Sequence, residues 1–194
     1  MLYVSLGSNC SVTHQLKIRD LKYKSFPFDW CKITISQLIS VLENNFKNYM
    51  ETIIINKISN NHKHKNNNLE NSLVLKNYYG ITFAHEITNE KELGIFKDKL
   101  SHRIYNFNQI KQDEKIIFIR IELKPIKKTY QEQIIKLLDL LHKYSNNFIL
   151  KLVLNSDIIF DELMVHKGVQ IYNFDQFTSD WQMNNVDWDG IFRI

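Results

Sequence analysis

The opening stretch, MLYVSLGSNCSVTHQLKIRD, restricts the fold more than any other part of the chain. Leu2, Val4 and Leu6 form a short apolar run closed by Gly7, the pattern of a buried strand. Gly7, Ser8 and Asn9 supply turn chemistry, and their side chains can satisfy free amides at a helix start. Val12, Leu16 and Arg19, with Gln15 and Lys17 interleaved, predict a helix that opens near Cys10. Cys10 therefore falls at a strand-to-helix turn. The helix dipole and unpaired amides there would favour the thiolate below the ordinary thiol pKa of about 8.5. The competing reading is a small buried cysteine that belongs to the core.

The rest of the chain repeats the alternation. Lys115–Leu123 (KIIFIRIEL), Phe148–Leu154 and Val169–Phe174 read as strands, and Tyr130–Tyr144 is a strongly periodic helix. Ile33–Met50 has a helical period, with Thr34 or Ser36 near its start. Ile53–Ile58 either extends that helix or forms a strand. Leu73–Leu75 and Tyr78–His85 are extended, which leaves His85 at a strand end. Glu90–Gln109 reads as a helix with Leu93, Phe96, Leu100 and Ile104 on its apolar face and Lys97, Lys99, His102 and Arg103 dressing the rest. Asn60–Asn71 is a polar surface loop, and nothing near His62 and His64 completes a metal site.

The expectation is one α/β domain over residues 1–194, with a mostly parallel sheet flanked by helices. Functional groups in such sheets gather at the carboxyl ends of strands. Gly7–Cys10, His85, Arg120–Glu122 and Asn155–Asp157 all fall there.

A length of 194 residues suits one hydrophobic core. Two cysteines make neither a disulfide framework nor a zinc pattern, so a reducing compartment is expected, with no metal and no cofactor. The charge is mild and mixed, 25 basic against 21 acidic residues, so no nucleic-acid partner is expected. Met1 leads straight into the first strand, and no apolar run approaches the ~20 residues of a membrane span. A cytoplasmic protein with no membrane partner is the corresponding expectation. Oligomeric state has no signature in the sequence.

Between the first two helices lies Phe26-Pro27-Phe28-Asp29-Trp30. Pro27 forces Phe26 toward an extended backbone, so this is a rigid aromatic loop. Asp29 either caps the following helix or takes a direct part in chemistry.

Four segments together resemble a family described as papain-like cysteine peptidases. They are Ser5–Cys10, Phe26–Trp30, the His85 segment with the basic helix around Arg103, and Phe118-Ile119-Arg120. The tail with Trp181, Trp188 and Ile191-Phe192 fits the same pattern. The resemblance implies that Cys10 is a nucleophile and His85 its base, acting on a peptide or another small acyl substrate. Where comparable members carry an aspartate after the histidine, this chain has Glu86. Asn155 could orient His85 in the papain manner, and Asp29 is the alternative. A different class remains open: Gly7, Ser8, Asn9 and Arg120 would bind a phosphorylated or glycan ligand at the turn, without covalent use of Cys10, unless Arg120 instead pairs with Glu122 or Asp157.

Overall fold

The computed structural model describes residues 1–57, 72–123, 129–155, 168–174 and 180–193. The Asn60–Asn71 loop, its two histidines and Asp157 lie outside the described residues. In chain order the elements are β1 (Leu2–Ser5), α1 (Ser11–Ile18), β2 (Cys31–Lys32), α2 (Ile35–Glu43), β3 (Thr52–Lys57), β4 (Leu73–Asn77) and β5 (Thr82–Phe83). There follow α3 (Leu93–Asn108), β6 (Ile116–Glu122), α4 (Tyr130–Leu141), β7 (Phe148–Leu154), β8 (Val169–Asn173) and α5 (Trp188–Phe192).

Two four-stranded sheets result. One is wholly parallel, in the order β1-β6-β7-β8, with Val4 opposite Phe118 and Phe118 opposite Leu150. The other is antiparallel, in the order β2-β5-β4-β3. The α/β class and the parallel sheet match the sequence reading. The second sheet is not expected from sequence, because β2 is too short at two residues to leave a periodic signal.

Strand periodicity divides the parallel sheet between two cores. Tyr3, Ile117, Ile119, Ile121 and Val153 face α1 and α5. Leu2, Val4, Phe118, Leu150 and Leu152 face the other way and share one core with α2, α3, α4 and the antiparallel sheet. That shared core joins the two sheets into one domain. No described helix is long and apolar enough to cross a membrane.

Local chemistry sets the helix boundaries. Thr34 opens α2 with a capping box: its hydroxyl accepts from the Gln37 amide, while the Gln37 side chain accepts from the Thr34 amide. Cap duty at α2 thus belongs to Thr34 and not to Asp29. The helix stops well short of Met50, because Asn45, Phe46 and Asn48 take positive φ values of 48°, 60° and 60°. Phe46 then turns inward, against Phe28, Tyr49 and Phe107 at ring separations of 5.8, 5.6 and 5.5 Å.

At the far end of the chain, the Tyr3 hydroxyl donates to the Phe192 carbonyl at 2.7 Å. Lys151, buried in β7, donates to the carbonyls of Ile191 and Arg193 at 2.6 and 2.5 Å. A cation thereby meets the carboxyl end of α5, where it complements the exposed carbonyls.

Candidate active site

The turn from β1 to α1 is built by backbone conformations that most side chains avoid. Gly7 and Ser8 have φ of 75° and 81°. A Cβ at Gly7 would lie 2.2 Å from Ile33 Cγ2 and 3.4 Å from Cys31 Sγ, so the glycine admits the chain around β2. Asn9 completes the turn by accepting from the Ser11 amide at 3.1 Å and the Ser11 hydroxyl at 2.5 Å. Cys10 follows as the residue that heads α1. It is half-buried, whereas Cys31 is fully buried and its thiol donates to the Phe28 carbonyl at 3.2 Å.

The thiol does not have the lowered pKa that its place before a helix suggests. Burial pushes Cys10 up to about 11; the Glu86 carboxylate adds to the rise, and the Lys32 ammonium opposes it. Two features weaken the helix effect. The helix has only eight residues, and its first amide is already taken by Asn9. Cys31 is also raised, by burial first and by the Cys10 charge second.

His85 sits in the bend that follows β5, exposed, immediately before Glu86. Glu86 is nearly buried and pairs with Arg103 of α3 at 2.7 Å. Burial alone would lower the Arg103 pKa, and the charge and hydrogen bonding of Glu86 raise it above the usual value. Arg103 belongs to the buried stripe Phe96, Leu100, Arg103, Phe107, and not to the solvated face expected for it. Its spacing gave that away: Phe96, Leu100, Arg103 and Phe107 recur at helical intervals of four, three and four. Lys32, likewise not singled out from sequence, brings the opposite charge to bear on Cys10.

The remaining candidates take different places. Asp29 is buried and accepts from the Phe26 amide at 2.7 Å, the Thr13 hydroxyl at 3.1 Å and the Lys22 ammonium. Its carboxylate therefore ties the aromatic loop to α1. Asn155 ends β7, its amide donating to the Glu122 carbonyl at 3.3 Å. With β6 between β1 and β7, Asn155 stands about 10 Å across the sheet edge from the line of β1. His14, which drew no notice in the sequence, donates its amide to the Cys10 carbonyl at 3.0 Å, one helical turn on.

Arg120 takes the paired one of its two readings. Its guanidinium is 0 % exposed and donates to the Leu6 carbonyl at 3.0 Å, the Ile33 carbonyl at 3.2 Å and Glu122 at 2.6 Å. A cation so engaged braces the turn and α2's approach from within, and offers nothing to an incoming anion.

Beside the turn opens a cleft of about 760 Å³, at the carboxyl edge of the parallel sheet. Ser8, Lys32, Thr34, Thr82, Glu122 and Tyr130 are among its lining residues. Among the described residues, no group of three or more His, Cys, Asp or Glu could hold a metal ion.

Comparison with known proteins places this geometry in context. A family model described as "Putative papain-like cysteine peptidase" matches residues 1–159. An uncharacterised protein of Acanthamoeba polyphaga mimivirus is 28% identical, over 98% of this chain and 96% of its own length. No solved structure matches.

Proposed function

We propose that this chain, which belongs to the family described as putative papain-like cysteine peptidases, is a thiol-dependent acyl hydrolase with Cys10 as nucleophile and His85 as base. The observation that carries this reading is the contrast between the two thiols. Cys10 is partly exposed in the turn beside the cleft, while Cys31 is sealed in the core.

A thiol raised to about 11 is protonated at neutral pH. The reaction then needs concerted proton removal rather than a standing thiolate–imidazolium pair. Cys10 Sγ attacks the carbonyl carbon as its proton passes to His85. The oxyanion takes the new electron pair, with the backbone N–H of Cys10 as its donor. Collapse expels the amine or alcohol, which accepts the proton from His85. Water then attacks the thioester and restores the thiol. Asp29 and Asn155 are the two candidates for the group that orients His85; the Asp29 carboxylate is already bound by Phe26, Thr13 and Lys22.

Mass-resolved labelling with iodoacetamide tests the reading. Cys10 is expected to react much faster than Cys31, and Cys10→Ser to remove the fast site. His85→Ala should slow that site at least tenfold without unfolding the chain. Equal rates at the two cysteines, or indifference to His85, would refute it. A second reading assigns the base to His14, on the strength of its place one turn beyond Cys10. It is favoured if His14→Ala, and not His85→Ala, suppresses the labelling.

A further inference from the structure

The cleft beside the turn that carries Cys10 has its charge unevenly spread. Glu122 lines it, but the carboxylate is held by Arg120 at 2.5 Å and by the Tyr130 hydroxyl at 3.1 Å. Lys32 lines the same cleft, is exposed, and has no ion-pair partner among the described residues. The other lining groups are uncharged, among them Ser8, Thr34, Ser36, Gln37 and Thr82. Among the described residues the cleft thus presents one unneutralised charge, and that charge is positive.

Lys32 is also close to the proposed chemistry. It belongs to β2, the edge strand of the antiparallel sheet, between Cys31 and Ile33. Those two neighbours turn to the opposite face, against Gly7, while the Lys32 charge acts on the Cys10 thiol. Ser8, on the far side of Gly7, lines the cleft with Lys32. A substrate carbonyl at Cys10 would therefore bring its adjoining groups toward the Lys32 ammonium.

We propose that Lys32 determines specificity, and that the cleft takes an acyl substrate with a carboxylate next to its reactive carbonyl. The inference rests on the reading of Cys10 as the nucleophile. A lone cation on a partly enclosed wall concentrates anions near it, and no counter-charge has to be displaced first.

Two alkylating reagents of nearly equal size, anionic iodoacetate and neutral iodoacetamide, separate the inference from the reading below it. Both depend on the same thiolate, so their rate ratio at Cys10 cancels any change in its ionisation. With the intact protein at about pH 9.5, the iodoacetate-to-iodoacetamide ratio is expected to exceed that of N-acetylcysteine methylamide about fivefold. Lys32→Gln should bring it level with the free thiol, and Lys32→Glu should take it below. Salt at about 0.5 M should erase most of the preference. A ratio equal to that of the free thiol and unmoved by Lys32→Glu overturns the inference while Cys10 remains the nucleophile. If neither reagent modifies Cys10 even near pH 11, the nucleophile reading falls, and the Lys32 assignment with it.

Discussion

Replacing Arg120 with methionine tests whether this buried cation is a strut. The substitution keeps the volume of the aliphatic stem and removes every guanidinium contact. Three groups lose donors at once: the Leu6 carbonyl, the Ile33 carbonyl and the Glu122 carboxylate. The carbonyls lie around a residue with no exposure, so water cannot simply replace the cation, and Glu122 keeps only its bond from Tyr130. Breaking one side of a buried ion pair costs about 3–5 kcal/mol. With a urea slope of about 2 kcal/mol/M, the unfolding midpoint should fall by roughly 2 M. Adding Glu122→Gln should return about 1–2 kcal/mol, because the stranded carboxylate is then neutral. Chemical denaturation of the two variants followed by circular dichroism measures both quantities. A loss below about 1 kcal/mol would refute the reasoning. The guanidinium would then be dispensable to the fold and free for a ligand.

Three further outcomes follow from the site. The iodoacetamide rate at Cys10 should keep rising until about pH 11, with thiolate at pH 8 about a hundredfold scarcer than for a thiol of 9.0. Glu86→Gln should move that inflection downward, since it removes a negative charge that opposes ionisation; a profile already flat above pH 9 contradicts both statements. Gly7→Ala should lower stability by about 2–4 kcal/mol in a thermal melt. The new methyl group would meet Ile33 at 2.2 Å and would force a β-carbon into φ +75°; an unchanged melting temperature would show that the turn relaxes freely.

The parts of the fold that obey one period over many residues were readable in the sequence. Phe148–Leu154 is β7 to the residue, and Tyr130 does begin α4. One short pairing was not readable: β2 is two residues long and pairs with Thr82 and Phe83, far along the chain. Arg103 was misjudged because a charged residue was assigned to the solvated face, although its spacing from Phe96 and Leu100 placed it on the buried one. The Cys10 turn was legible from Gly7-Ser8-Asn9, but the state of its thiol was not. Desolvation and the Glu86 charge depend on what packs around the turn, and no local motif records that. Arg120 illustrates the same limit, since its acceptors at Leu6 and Ile33 are remote in sequence.

The bond from Tyr3 to Phe192 joins residues 189 positions apart. A chain made from its amino end therefore holds β1 and α1 without this cover until α5 has been added. During that interval Tyr3, Val12, Leu16, Ile117 and Ile119 lack the face that Trp188, Ile191 and Phe192 provide. Contacts of such long range also slow the search for the native arrangement. The nascent protein should accordingly be prone to self-association and dependent on chaperones until its tail docks. Stop codons placed just before Trp188 should then be read out as insolubility, long before any effect on the thiol could be assayed.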